Sequence, residues 1–540
     1  MRISLFFATM LLFLNMPAEK SFAASLHPIR EGYLLVRYKA NIDITTTQAK
    51  SIHIKAKAKV IKTFNHPSGL QLVKLDAGVS LSQARNLYQK DPRILYAEPN
   101  YLLHTAVVPD DNSFGQQWGL NNEGQTGGIF DADINAVQAW NIEKGSRQVV
   151  LAVVDTGIDY THPDLVDNMW FNPGEIAGNG VDDDNNGYID DIHGTNTITK
   201  TGDPMDDSEH GTHVAGIIAA RGNNTLGISG VMQQASLLGC KFLDINGEGD
   251  TDTAIACLEY LVDLKTRKEN PVNIVACNNS WSGGPFSRSL YDAIEETRNA
   301  GILFMAAASN DRRNNDLIST FPANFALSNV ISVAATDDKD ALAVFSNYGR
   351  YSVHVAAPGV RILSTFPQNR YGLLSGTSMA TPFVTGLAGL IKSAHPTLTW
   401  MQIRNLITAG GQRTNALHGN LISERRIRAW DITGEGSLSC QDQKVSSRLT
   451  PKNANPVMRL GQSMPVTMLS INCDMPNHSN TLNILFNDAR ISSLTLVDSG
   501  TKGDAVANDG VFTGNFIPSK TGTFQIQFPK SDMLTVRVQR

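Results

Sequence analysis

Cysteine is scarce in this chain, with five residues in 540. The number is odd and no spacing resembles a zinc site. No apolar run approaches the ~18–20 residues needed to cross a bilayer. Neither sign of charge dominates: 46 Lys and Arg against 51 Asp and Glu leave a net charge of −5. That balance gives no reason to expect nucleic acid or an anionic membrane as partner. Long biased or like-charged runs are missing too, which excludes collagen-like, low-complexity and disordered chains. What remains is 41% hydrophobic and 18% charged, an ordinary globular composition. At ~100–200 residues per domain the length suggests roughly three domains.

The longest apolar run, Ile3 to Leu14, follows Arg2 and is broken by Asn15 and Pro17. With small Ser21 and Ala23 behind it, residues 1–23 read as a secretory signal peptide cut after Ala23. A secreted protein is expected, and disulfides become permissible. Cys240 and Cys277 lie in apolar runs and Cys257 in a helical pattern, so all three read as small buried hydrophobes. Cys440 and Cys473, alone in the last hundred residues, are expected to pair.

Residues 31–100 alternate as β-α-β-β-α-β, the order of a ferredoxin-like α+β domain. From about residue 148, short apolar runs (QVVLAVV, VNIVAC, GILFMAAA, NVISVAA) alternate with helical segments. Strands buried on both faces look like this, so an α/β fold with a parallel sheet and helices on both faces is expected. After about residue 435 the texture turns to Thr, Ser, Asn and Gly with alternating segments, which reads as a β-sandwich-like domain.

Three segments carry chemistry. Asp155 closes the strand VVLAVV, His210 opens the helix HGTHVAGIIAA, and Ser378 lies in SGTSMATPFVTGLAGLI, where Pro382 suits a first turn. A lone Asp after a strand is more often a turn residue, a lone His at a helix start more often a cap, and GTS before a helix an ordinary capping motif. Together they are the parts of one machine. A serine hydroxyl needs a base to take its proton, histidine titrates in the right range, and a carboxylate orients the imidazole.

VVDTGID, HGTHVAG and SGTSMATP resemble, in order, the three signature motifs of the subtilisin-like serine proteases, the subtilase family. The resemblance runs from roughly residue 112 to 432. It implies Asp155 as orienting acid, His210 as general base and Ser378 as nucleophile, with His213 structural. AAASN places Asn310 as oxyanion donor, although Ser309 stands where the family usually has glycine. NNSWSGGP resembles the family's substrate-pairing strand, so Ser280, Trp281, Ser282 and Gly283 are expected along one pocket wall. Ala307, Ala308 and Ser309 are expected along the other, and NGEGD (Gly247, Glu248, Gly249) as a second edge strand. Ser282 and Ser309, standing where relatives carry glycine, are expected to disfavour large aromatic groups at the cut.

Residues 178–194, GNGVDDDNNGYIDDIHG, form an acidic insertion whose alternating oxygen donors resemble a calcium loop. The candidate ligands are Asp182, Asp184, Asn186, Tyr188, Asp190 and Asp191. His193 replaces the twelfth-position acid of an EF-hand, but similar insertions in some subtilases bind calcium. The resemblance also makes residues 24–106 a propeptide that inhibits its own enzyme, 107–435 the catalytic domain and 436–540 an appended domain. A secreted monomeric endopeptidase acting on polypeptides is therefore expected, its tail dispensable for hydrolysis of a small ester. The rivals are a surface or adhesion protein acting through its β tail, an inactive homologue, and an esterase. The first lacks a wall anchor, the second would have lost a triad residue, and the third needs GxSxG around Ser378.

Overall fold

The computed structural model describes residues 29–40, 42–76, 78–101, 108–429, 444–472, 479–501 and 504–540. The signal-peptide segment, Cys440 and Cys473 lie outside the described residues.

The N-terminal domain runs β1 (Ile29–Tyr38), α1 (Thr47–Lys55), β2 (Ala58–Phe64), β3 (Leu70–Leu75), α2 (Leu81–Gln89), β4 (Ile94–Tyr101). Its antiparallel sheet has the order β2-β3-β1-β4, as a ferredoxin-like unit requires. Alternate residues of β1, Leu34 and Val36, face the helices and pack with Ile52, Ala84 and Tyr88. Thr46 and Ser80 cap α1 and α2 by accepting the amides of Ala49 and Gln83.

The central domain opens with α3 (Ala136–Trp140) and β5 (Val150–Asp155). It continues through β6 (Gly194–Asn196), α4 (His210–Ala219), β7 (Ser236–Lys241), α5 (Thr251–Thr266), β8 (Ile274–Asn279), α6 (Arg288–Asn299) and β9 (Leu303–Ala307). Then come β10 (Val330–Thr336), β11 (Val355–Pro358), the hairpin β12 (Ile362–Phe366) and β13 (Arg370–Leu374), α7 (Thr377–Ala394) and α8 (Trp400–Ala409). Two short strands, β14 (Gln412–Arg413) and β15 (Arg425–Arg426), end it. The nine-stranded sheet has the order β14-β15-β11-β10-β9-β8-β5-β7-β6. Every ladder but β14–β15 is parallel. Burial on both faces explains the unbroken apolar runs: Leu151 and Val153 face α4 and α7, while Val150, Ala152 and Val154 face α5 and α6.

The C-terminal domain comprises β16 (Val445–Thr450), β17 (Val457–Arg459), β18 (Met464–Ile471), β19 (Ser479–Phe486), β20 (Ala489–Val497), β21 (Val511–Phe516), β22 (Gly522–Gln527) and β23 (Met533–Gln539). These form one continuous sheet, β16-β18-β21-β20-β19-β22-β23-β17. Met458 of the edge strand β17 shares one core with Val466 and Met468 of β18, near the opposite edge. The sheet therefore curls on itself to enclose a sandwich-like core. The domain is no free appendage. Val445, Leu469 and Ile471 pack against Ala409 and Ile422 of the central domain. Arg404 of α8, itself 3% exposed, donates to the Asp509 carbonyl.

Cys240 and Cys257 form a disulfide, Cα to Cα 5.9 Å, which corrects their reading as separate hydrophobes. Residue spacing hid the pair because the crossover from β7 into α5 folds one buried face onto the other. Cys277 stays free and buried, its thiol pushed up to about 12 by burial.

Candidate active site

The sheet changes its winding direction at β5, which has β7 on one side and β8 on the other. In open α/β sheets, the crevice past the strand carboxyl ends at such a point is where ligands bind. Asp155 is the last residue of β5, Ser280 follows β8 and Asn310 follows β9 closely. Helices α4 and α7 begin at the same end, carrying His210 and Ser378 on their first turns.

Asp155 is fully buried. Its Oδ1 accepts from the Thr156 amide at 2.7 Å and from His210 Nδ1 at 2.8 Å. A carboxylate only accepts, so the imidazole hydrogen sits on Nδ1 and Nε2 is left as acceptor. Burial opposes the charged imidazole, but the Asp155 charge and hydrogen bond outweigh it. With Asp206 and Glu209 adding to them, the net shift of His210 is upward. Glycine lets strand end and helix start meet: a Cβ on Gly211 would lie 2.1 Å from the Gly157 carbonyl oxygen. His213, one helical turn on, is buried and faces the Ile362 and Gly372 carbonyls at 3.1 and 3.2 Å. Burial pushes it down to about 3, so it is neutral and structural, as expected.

Ser378 Oγ donates to the Ser280 carbonyl at 3.0 Å, and Ser280 Oγ donates to the Ser378 carbonyl at 2.7 Å. The second bond has a plain cause. Pro382 is the sixth residue of α7, not in its first turn, and has no amide for the carbonyl four residues earlier; Ser280 takes its place. Among the described residues no hydrogen bond joins Ser378 to His210. Asn310 Oδ1 accepts from the Thr377 amide at 2.8 Å and the Thr377 hydroxyl at 3.0 Å. That fixes the amide plane with Nδ2 as the donor beside Ser378. A Cβ on Gly376 would stand 3.4 Å from this Nδ2 and 3.7 Å from Ser378 Cβ, so the position stays clear.

Of the residues expected on the two pocket walls, Ser282 and Ser309 meet. Ser282 Oγ donates to Ser309 Oγ at 3.3 Å, and Ser309 Oγ donates to Asp311 Oδ2 at 3.1 Å. Ser309 has φ +87°, a left-handed backbone that favours glycine. Ala307 and Ala308 are buried, and Trp281 packs on Phe242 with ring centroids 5.0 Å apart. The segment with Gly247, Glu248 and Gly249 differs from expectation. It is a tight turn, not an extended strand, closed by Asp244 Oδ1 on the amides of Asn246 and Glu248.

The subtilase family model (Peptidase S8) matches residues 146–422, just over half of the chain. This chain belongs to the subtilase family. The fervidolysin N-terminal prodomain model matches residues 17–100, and the second Ig-like domain of conditioned medium factor matches residues 459–530. Subtilisin-like protease 1 of Plasmodium vivax is 40% identical over 275 residues, 48% of this chain and 42% of its own. The thermophilic serine proteinase of Bacillus sp. (strain AK1) is 35% identical over 67% of this chain and 78% of its own. Subtilisin NAT of Bacillus subtilis subsp. natto is 31% identical over 75% and 91%. The chain spans less than half the length of the Plasmodium relatives it matches.

Subtilases commonly bind structural calcium, and acidic groups of this chain could form such a site. Asp184 and Asp191 come together with Glu175, their oxygens within 4.8 Å of one another. Asp184 Oδ1 is buried with no partner, although Oδ2 receives Arg267 at 2.5 Å. Asp182 instead caps the amides of Asn186 and Gly187, and Asp190 those of Gly178, Asn179 and Gly180. Asn186 supports Asp191 through Nδ2, and Tyr188 packs edge-on against Tyr260. Glu175 was missed because it precedes the insertion in sequence. Lys241 was missed too: nearly buried, it donates to the Thr156 and Leu243 carbonyls and to Asp207, pinning the turn after Asp155. A lysine ending an apolar strand was its signal.

Proposed function

We propose that this subtilase is a secreted serine endopeptidase, matured by removing its own prodomain. The observation that carries the reading is the 2.8 Å bond between buried Asp155 and His210, at the sheet's switch point beside the helix turn bearing Ser378. In the reaction the Ser378 hydroxyl leaves the Ser280 carbonyl and gives its proton to His210 Nε2 while Oγ attacks the scissile carbonyl. Asp155 stabilises the imidazolium. Asn310 Nδ2 and the Ser378 amide, one of those a helix leaves unpaired in its first turn, receive the oxyanion. The imidazolium then protonates the leaving amine, and water, deprotonated by His210, hydrolyses the acyl-enzyme.

The substrate is an extended polypeptide pairing through its main chain with residues 280–283, with the 247–249 turn opposite. The Ser282–Ser309 bond across the walls favours small side chains at the cut over large aromatics. Glu175, Asp184 and Asp191 are the residues that would hold a structural calcium, whose charge would balance theirs; the orphaned Asp184 oxygen supports this. The prodomain's C-terminal end is the first substrate, cut between Asn100 and Asn112, since its covalent link to the enzyme gives it a high effective concentration at the serine. Ser378→Ala and His210→Ala test this: both should stay uncut precursors of normal fold. Normal processing of pure Ser378→Ala protein would remove Ser378 from its role.

A further inference from the structure

The segment that carries Asn310 has no regular secondary structure of its own, and Ser309 and Arg312 hold left-handed backbones (φ +87° and +55°). Such a segment keeps its shape only when its surroundings fix it. One side chain does most of this. Asn347, fully buried, accepts the amides of Asp311 and Arg313 on Oδ1, both at 2.9 Å. Its own amide donates to the Ser309 carbonyl at 2.9 Å, and its Nδ2 to Asn315 Oδ1 at 3.0 Å. Asn347 thus grips the chain on both sides of Asn310.

The strip bearing Asn347 is anchored in turn from outside the central domain. The Tyr348 amide donates to the Arg313 carbonyl at 3.0 Å, the Tyr348 carbonyl accepts the Asn315 amide at 2.7 Å, and the Tyr351 amide donates to Asp316 at 3.1 Å. The Tyr351 hydroxyl accepts from Arg448 Nη2 at 2.7 Å and donates to Asp532 Oδ1 at 3.0 Å. Arg448, 1% exposed, holds both oxygens of Asp532 (2.9 and 3.1 Å) and lies 4.3 Å from the Tyr351 ring centroid. Arg448 and Asp532 belong to the C-terminal domain. A continuous path of hydrogen bonds and short backbone stretches therefore runs from that domain to Asn310.

We propose that the C-terminal domain positions Asn310 for catalysis, acting through Arg448, Tyr351 and the Asn347 brace. The proposal rests on the reading of Asn310 as oxyanion donor. Asn347 and Tyr351 are positioning residues: they touch no substrate, and they act by setting where the Asn310 amide points. Small displacements of such a donor cost rate, because it must meet the oxyanion and not the ground-state carbonyl.

The test is a double-mutant cycle in the full processed enzyme on a small peptide substrate. Active sites are titrated with a serine-directed covalent probe, so that kcat refers to folded sites. Asn347→Ala should lower kcat about 10–100-fold and Tyr351→Phe or Arg448→Met about 3–10-fold, with KM within about twofold. On an Asn310→Ala background each further loss should shrink below about twofold, since the group they position is gone. Tyr351→Phe removes one oxygen atom and carries the test if Asn347→Ala melts. Losses that persist in full on Asn310→Ala, losses confined to KM, or an unchanged kcat in Tyr351→Phe and Arg448→Met overturn the proposal. An unchanged kcat in Asn310→Ala alone overturns the oxyanion reading beneath it, a distinct failure.

Discussion

Two regions of the central domain bury a carboxylate, and they settle it differently. Asp155, at the end of β5, has one side-chain partner, the His210 imidazole, which becomes cationic whenever it takes a proton. Asp191, in the acidic insertion, has three: Tyr260 at 2.5 Å and the amides of Asn172 and Asn186, each at 2.9 Å. None of these can supply charge, and burial pushes Asp191 up to about 7 despite them. On the proposed reading, the difference separates a carboxylate that serves a reacting imidazole from one that would hold a cation. In the proposed reaction positive charge reaches the first on His210; at the second a bound ion or a proton would supply it.

That contrast can be broken at either end. The largest effect belongs to the triad: Ser378→Ala or His210→Ala should lower kcat roughly 10⁶-fold, as such losses do in subtilisin, without lowering the melting temperature. Asp155→Asn should cost about 10⁴-fold, because the amide favours the wrong imidazole tautomer. Asn310→Ala should cost about 10²–10³-fold in kcat and little in KM. Asp191→Asn should leave kcat within about threefold and act on stability alone. A calcium chelator should lower the wild-type melting temperature by about 5 °C or more and leave that of Asp191→Asn unmoved. Equal sensitivity in both proteins would take the insertion off the list of metal sites. The smallest effect is on pH. His210 must be neutral to act as base and its pKa is raised, so kcat/KM should fall as pH drops through a value above 6.5. A limb below 6.5 would mean that Asp155 does not govern the imidazole.

Short-range chemistry was legible in the sequence. Each of these segments joins a strand end or helix start to glycines that permit close approach, and it was their joint order and resemblance to the subtilase motifs, not any one of them alone, that singled out Asp155, His210 and Ser378. The β-α-β-β-α-β order and the doubly buried strands were legible because periodicity reports which faces are covered. What depended on distant chain was not. Cys240 and Cys257 pair because a crossover folds β7 onto α5. Asp182 and Asp190 turn to nearby amides, while Glu175, outside the insertion, joins Asp184 and Asp191. The tail expected to be dispensable sends Arg448 to Tyr351, a contact across 97 residues that no local pattern announces.

The most direct measurement is the intact mass of purified Ser378→Ala protein beside wild type, both expressed in an export-competent host and kept free of other proteases. Wild type should lose its prodomain at a junction between Asn100 and Asn112. Ser378→Ala should keep it, with an unchanged melting temperature. A Ser378→Ala product of mature length would contradict the assignment of Ser378 as the nucleophile that matures this subtilase.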